Sequence, residues 1–138
     1  MASLRNVMKV HQNSTALFIC DVQEKFRPHI HQFLSVVSTA QKMIAASKIL
    51  EIPMVVTEQN PKALGKTIHE LDINNAKVVS KMKFSMLVPE VVEALKEKNT
   101  KSILLLGIET TLDLLENNYD VHVLADAYAS SRRISDNI

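Results

Sequence analysis

The sequence has few of the residues on which disulfides and phosphate-binding loops depend. It contains one cysteine, two glycines and no tryptophan among 138 residues. A single cysteine, Cys20, excludes an internal disulfide and fits a reducing compartment, so we expect the cytoplasm, with the nucleus and the mitochondrion as alternatives. Because only Gly65 and Gly107 are available, a glycine-rich phosphate loop of either common type is disfavoured, and so is a nucleotide-binding module.

An excess of charge and long apolar runs are also missing. The formal net charge is +1, which gives no electrostatic reason to expect nucleic acid as a partner. No apolar run is long enough to cross a membrane, so a membrane is not expected as a partner. Hydrophobic residues make up 46% of the chain and charged residues 22%, which predicts one packed domain over residues 15–138.

The first residues of the chain carry basic side chains without acidic ones. Arg5, Lys9 and His11 fall within residues 1–12, and no aspartate or glutamate does. We expect residues 1–14 to form an ordinary flexible terminus, and a mitochondrial targeting segment is the alternative.

Strand-like and helix-like patterns alternate along the chain. Short apolar runs predict buried strands at residues 16–20, 53–57, 76–80, 103–106 and 121–124. Helical spacing of apolar residues predicts helices at 33–50, 89–98 and 113–116, and residues 58–73 form a long loop. This alternation is typical of an α/β domain with a parallel sheet, for which we take the strand order 3-2-1-4-5.

The connection between the fourth and fifth predicted strands is short. It spans residues 108–119, whereas a crossover with its helix needs at least about 10–12 residues. No residue is left for a turn. Either the helix is clipped or a segment of this loop is missing.

Ionisable residues end several of the predicted strands. Asp21, Lys81, Glu109 and Asp126 all fall at carboxyl ends, where open parallel sheets place their chemistry. The order 3-2-1-4-5 would bring Asp21 and Glu109 side by side, with Lys81 within reach. A carboxylate and an ammonium in a cleft form an acid–base pair. The alternative for each residue is an ordinary solvated strand end.

Other candidates carry weaker signals. Cys20 faces away from Asp21 by strand alternation, which favours a core residue over a nucleophile. His29 and His31 share one face only if extended and have no third ligand nearby, so no metal site is predicted. Thr57, like Thr110 and Thr111, lies near a strand end without a base at a recognisable spacing.

Several motifs, in order, carry a more specific signal. They read LFICDVQEKF at 17–26, TEQNPK at 57–62, LG at 64–65, KMKFSM at 81–86, LGIET at 106–110, TLDLL at 111–115 and VHVLADA at 121–127. Together they resemble the isochorismatase-like cysteine hydrolase family over about residues 15–132, nearly the whole chain.

The resemblance implies a three-layer α/β/α sandwich, Rossmann-like, around a six-stranded parallel sheet, with no cofactor. It implies an aspartate, a lysine and a cysteine as the catalytic set. The aspartate corresponds to Asp21 and the lysine to Lys81, with Lys83 as the weaker alternative. Glu109 and Thr110 are the expected binding residues.

The chain departs from the family pattern at the cysteine. In the family, the cysteine begins the helix that follows Gly-Ile-Glu-Thr. In this chain Thr111 follows Thr110 directly, and a segment of roughly two helical turns is absent. We also expect the domain to be incomplete at its C-terminal end, because family members continue into a further helix, a sixth strand and a closing helix.

The implied function is a hydrolase of small amides or related compounds by Asp-Lys-Cys chemistry, with the cysteine segment absent from this chain. The alternative is a catalytically inactive shortened variant that acts by binding. The expected partner is a small-molecule substrate. A bare sheet edge would favour a homo-oligomer.

Overall fold

The computed structural model describes residues 11–29, 32–83, 85–107 and 116–128, with side chains described as far as His122. The strands are β1 Thr15–Cys20, β2 Met54–Gln59, β3 Lys77–Lys81, β4 Ser102–Gly107 and β5 Asp120–Tyr128. The helices are α1 Phe33–Ile49, α2 Pro61–Leu64 and α3 Pro89–Glu97, and two 3₁₀ turns cover Gln12–Ser14 and Glu24–His29.

All the strand pairs of this sheet are parallel, and their order is β3-β2-β1-β4-β5. This confirms the order taken from the sequence. The strand β1 lies at the centre, and all six of its residues are buried, which explains its uninterrupted apolar run. Because the strands are parallel, the residues that follow β1, β2 and β3 meet at one edge of the sheet.

Strand β5 is longer than the sequence predicted. The apolar pattern ends at residue 124, but the strand continues to Tyr128, so Asp126 lies inside β5 rather than at its carboxyl end. Alanine and aspartate are poor strand formers. Pairing with β4 nevertheless extends to Gly107 and Tyr128, across an irregularity in the register that begins after Leu105.

Helix α1 covers one face of the sheet with a stripe of apolar side chains. Val36, Val37, Ala40 and Ile44 are buried on it at helical spacing. Val37, Ala40 and Ile44 form the α1-side core with Leu17, Ile19, Val56 and other side chains. Among the described residues, no helix has both the length and the hydropathy needed to cross a bilayer.

Helix α3 covers the opposite face. It begins with Pro89 in its first turn, where a missing N–H costs nothing, and a left-handed residue, Asn99, follows its end. Its buried Val91 and Leu95 pack in the α3-side core, which also contains Phe18 and Cys20. The predicted core position of Cys20 is therefore confirmed.

We expect Ser47→Ala in α1 to raise the free energy of unfolding by about 1 kcal/mol, measured by urea denaturation. Ser47 is 1% exposed, and its hydroxyl has no hydrogen-bond partner. The matched control is Ser38→Ala, which changes an exposed serine in the same helix and gains helix propensity alone. Equal gains in the two variants would show that the buried hydroxyl costs nothing.

Candidate active site

The candidate site lies at the carboxyl edge of the sheet, where three strands each supply one side chain. Asp21 follows β1, Thr57 lies in β2, and Lys81 is the last residue of β3. Since β2 separates β1 from β3, the long Lys81 side chain reaches across one strand. Its ammonium donates a hydrogen bond of 2.9 Å to Asp21 Oδ2. The predicted proximity of these two residues is confirmed.

Both charges of this pair are removed from water. Asp21 is 0% exposed and Lys81 is 4% exposed. Buried ion pairs are weak contributors to stability, because desolvation offsets most of the attraction between the charges. A pair of this kind is therefore better explained by a functional role than by a need for stability.

Asp21 also has an unusual backbone conformation. Its φ of 55° lies in the left-handed region, which costs roughly 1–2 kcal/mol for a residue with a side chain. A backbone hydrogen bond stabilises this conformation, because the Asp21 N–H donates to the Thr57 carbonyl at 3.1 Å. This bond extends the β1–β2 pairing by one residue. Six other described residues that are not glycine also have a positive φ, so this conformation supports the site only in combination with the buried charge pair.

Further hydrogen bonds fix the two charged groups. Thr57 Oγ1 donates to Asp21 Oδ1 at 2.8 Å, and Lys81 Nζ also donates to the Lys83 carbonyl at 2.9 Å. Lys83, the weaker lysine candidate, has an exposed side chain and contributes only this backbone oxygen. Lys81 is thus the lysine whose ammonium meets Asp21.

Burial raises the pKa of Asp21 above its ordinary value of 3.8, against the opposing effects of Lys81 and of the Thr57 hydrogen bond. The raised pKa means that the folded protein binds this proton more tightly than the unfolded chain. The resulting stabilisation is complete below pH 3.8 and is lost as the pH rises through the folded-state pKa. A carboxylate with a raised pKa is also a stronger base.

The loop after β2 is anchored beside the site by Gln23. This side chain is fully buried. Its Nε2 donates to the carbonyls of Gln59 at 2.9 Å and Gly65 at 2.7 Å, and its Oε1 accepts from the Gln59 N–H at 2.7 Å. Gln23 therefore ties the segment after β1 to both ends of the short segment that contains α2.

A second anchor joins Glu58, in β2, to Thr67 further along the same loop. The Glu58 carboxylate, 6% exposed, accepts from the backbone N–H of Thr67 at 2.7 Å and from its hydroxyl at 2.8 Å. Residues 58–73 were predicted as one long loop, but the first two belong to β2 and Pro61–Leu64 form α2. The two anchors tie the rest of this segment to β2 and to the residues after β1. Gln23 and Glu58 both fall within the quoted motifs, but nothing in the sequence identified their partners, which lie 36 and 42 positions from Gln23 and nine from Glu58.

We expect Gln23→Leu to lower the free energy of unfolding by about 2 kcal/mol, since three partly buried backbone groups of Gln59 and Gly65 would lose their partner. Urea denaturation measures this loss. Gln41→Leu is the matched control, because Gln41 is exposed and makes a single bond to the Glu70 carbonyl. A change below about 0.5 kcal/mol in both variants would refute the anchoring role of Gln23.

A surface cluster around Arg27 joins the segment after β1 to the far part of the loop after β2. Arg27 donates to Glu24 Oε2 at 2.6 Å and to Glu70 Oε2 at 2.7 Å, and it lowers the pKa of Glu70 to about 2. Ligand atoms of Glu24, His69 and Glu70 lie within 4.8 Å of one another. The Arg27 guanidinium already neutralises both carboxylates, so we assign this cluster a structural role.

Some predicted residues cannot be placed. Glu109 and Thr110 lie outside the described residues, as do His31 and Thr111, and the side chain of Asp126 is not described. Thr57 was predicted to lie near a strand end without a base at a recognisable spacing, and the structure adds that its hydroxyl lies against the Asp21 carboxylate. Sequence spacing could not reveal this contact, since Asp21 follows the neighbouring strand.

The opposite end of the sheet carries a groove of about 700 Å³. Among its lining residues are Glu51, Lys77 and Glu93, whose side chains are exposed. Solvated charges of this kind are ordinary surface. Two of the groove's lining residues, Glu51 and Asn75, also have positive φ angles, of 56° and 71°, but both are exposed. Among the described residues the groove has no buried charge pair like that of Asp21 and Lys81, which is why the carboxyl edge is the stronger candidate.

Comparison with known proteins finds one family over most of the chain. A model of the isochorismatase domain matches residues 15–134. Isochorismatase domain-containing protein 2 of Xenopus laevis is 47% identical over 142 aligned residues, which cover 97% of this chain and 69% of that protein.

Solved structures share the fold. The MAR1 ribonuclease of Caenorhabditis elegans superposes with a TM-score of 0.83 at 36% identity, covering 94% of this chain and 74% of that one. The ycaC product of Escherichia coli, described as an octameric hydrolase of unknown specificity, gives a TM-score of 0.79 at 18% identity over 94% of this chain and 71% of its own. The predicted α/β fold with a parallel sheet is thus confirmed.

Proposed function

This chain belongs to the isochorismatase family of hydrolases, and on that basis we propose that Asp21 and Lys81 are the acid–base part of an Asp-Lys-Cys centre acting on small amides or related compounds. The observation that carries the proposal is the buried Asp21–Lys81 pair, whose polar atoms are 2.9 Å apart at the carboxyl edge of the sheet.

The proposed chemistry assigns one task to each group. Asp21 accepts the proton of the nucleophilic thiol, and Lys81 orients the aspartate and stabilises its charge. The thiolate then attacks the carbonyl carbon, backbone amides hold the oxyanion, the amine leaves with a proton, and water releases the acid. Turnover therefore requires a thiol that can approach Asp21.

This chain offers no such thiol. Its one cysteine, Cys20, is fully buried in the α3-side core. We therefore propose that the nucleophile segment is absent between Thr110 and Thr111, and that the chain as it stands does not turn over amides. The second candidate function, an inactive variant that acts by binding, rests on the same observation.

The experiment compares the chain with a form that carries its relatives' cysteine segment between Thr110 and Thr111. Ammonia release from a panel of small primary amides is measured for both. We expect none from the chain as it stands. In the restored form, Asp21→Asn should lower the turnover by about 100-fold or more, and Lys81→Met should do likewise.

Lys77→Met is the matched control, because Lys77 is an exposed lysine at the other end of β3 and its loss should leave turnover unchanged. Unchanged turnover in Asp21→Asn would exclude the assignment. An RNA oligonucleotide belongs in the panel because one relative is called a ribonuclease. Asp21-dependent cleavage of the RNA would replace the small-amide proposal by a nuclease.

We also propose a cytoplasmic homo-oligomer. Strands β3 and β5 end the described sheet, and unpaired edges favour association. Sedimentation velocity tests this proposal, and a monomer at micromolar concentration would exclude it.

A further inference from the structure

The hydroxyl of Thr57 has two acceptors within reach but only one proton to donate. Thr57 Oγ1 lies 2.8 Å from Asp21 Oδ1 and 2.8 Å from the sulfur of Met86. A carboxylate oxygen is a much stronger acceptor than a thioether sulfur, so the proton is directed to Asp21. Thr57 is also fully buried, so water does not compete for the hydroxyl.

The two donors to Asp21 come from different strands and reach different oxygens. Thr57 of β2 binds Oδ1, and Lys81 of β3 binds Oδ2 at 2.9 Å. The terminal torsion of an aspartate is ordinarily broad, and one flexible lysine would leave the carboxylate free to rotate. A second donor on the other oxygen removes that freedom, while each oxygen keeps a lone pair for an incoming proton.

We propose that Thr57 is a positioning residue for Asp21, whose hydroxyl locks the carboxylate in the orientation in which it accepts the nucleophile's proton. The inference rests on the proposed function, because it concerns the same base. A nucleophilic role for Thr57 is disfavoured, since Asp21 and Met86 already lie against its buried hydroxyl.

Titration of Asp21 in the full chain tests the proposal without any turnover. The ¹³C carboxyl chemical shift of aspartate-labelled protein, followed against pH, reports the midpoint of the Asp21 titration. The Asp21 resonance is the one that Asp21→Asn removes. Among the described residues Lys81 is the one charged side chain in contact with this carboxylate, and every variant retains it. Because Thr57→Val removes a hydrogen bond to the charged form, we expect the midpoint to move upward by about one pH unit.

Companion variants separate the hydroxyl from packing. Thr57→Ser keeps the hydroxyl and should retain the wild-type midpoint of the Asp21 titration. If lost packing caused the shift, Thr57→Ser would show the shift as well. Thr57→Ala provides a second route to the upward shift if Thr57→Val does not fold. Met86→Leu removes the competing sulfur at nearly constant volume, and its midpoint should not move upward.

Three results would overturn the proposal. The first is an unchanged midpoint in Thr57→Val and Thr57→Ala. The second is an equal upward shift in Met86→Leu, which would attribute the effect to packing. The third is labelling of Thr57 by a fluorophosphonate probe, which would make the hydroxyl a nucleophile.

Failure of the positioning role of Thr57 is distinguishable from failure of the hydrolase assignment. If Thr57 controls the Asp21 midpoint but the restored form hydrolyses no amide, the positioning contact stands and the hydrolase assignment fails. If turnover requires Asp21 while its midpoint is independent of Thr57, the hydrolase assignment stands and the positioning role fails.

Discussion

Lys81→Met is expected to lower the free energy of unfolding by roughly 3–5 kcal/mol at pH 7. Methionine matches the length and much of the volume of lysine, so the loss comes from charge rather than from a cavity. Asp21, 0% exposed, would keep a buried carboxylate without its ammonium partner. Urea denaturation measures the difference, and Lys77→Met on the exposed start of β3 should change stability by less than about 0.5 kcal/mol.

The pH dependence of this loss separates charge from packing. Without Lys81, the pKa of Asp21 would rise further, because an ammonium that now lowers it is gone. The carboxyl group then takes a proton as the pH falls, so the deficit relative to wild type should shrink at acid pH. The double variant Asp21→Asn, Lys81→Met should recover much of the loss. A deficit that is equal at all pH values, with no recovery, would mean that packing explains it.

Gly107→Ala is expected to lower the free energy of unfolding by roughly 3–5 kcal/mol, combining overpacking with the strain of a left-handed backbone. A Cβ at Gly107 would lie 2.4 Å from the Cys20 carbonyl oxygen and 2.9 Å from its nitrogen, and the φ of Gly107 is +105°. Both obstructing atoms belong to the backbone of the central strand, which cannot move without disturbing its partners on either side.

Gly65→Ala provides the comparison for this prediction. Gly65 also has a positive φ, +81°, but its added Cβ would meet the Glu24 side chain at 3.1 Å rather than a backbone. We expect a loss of roughly 1–3 kcal/mol from the conformation alone, because φ 81° with ψ 175° is a region open essentially to glycine. Urea denaturation of both variants tests the difference. Equal losses would show that the contact of Gly107 with Cys20 adds nothing to the strain.

Prediction from sequence worked where the physical cause is local. The apolar run before Asp21 predicted the central strand because a strand covered on both faces excludes polar side chains. The helical spacing of apolar residues such as Ala40 and Ile44 predicted α1, because a helix that packs on a sheet buries one face. The position of Lys81 at a strand end followed from these assignments. Strand β5 was predicted too short because pairing with β4, rather than local propensity, carries it to Tyr128.

Contacts between distant segments required the tertiary structure. Thr57 and Asp21 are separated by 36 positions, and their hydrogen bond exists because β1 and β2 are neighbours in a particular register. The Gln23 anchor joins segments 36 and 42 positions apart. No periodicity encodes such pairs, since one residue type can be a solvated polar group or a buried partner depending on what the fold places beside it.

The order of apolar and polar residues along the chain was sufficient to predict the fold class and the places of Asp21 and Lys81 at strand ends, and the motifs carried the family resemblance. The burial of the two charges in one site and the contact of Thr57 with the carboxylate became visible in three dimensions. Hydrogen bonds and desolvation act through space, and their strength is set by distance and burial rather than by position in the chain.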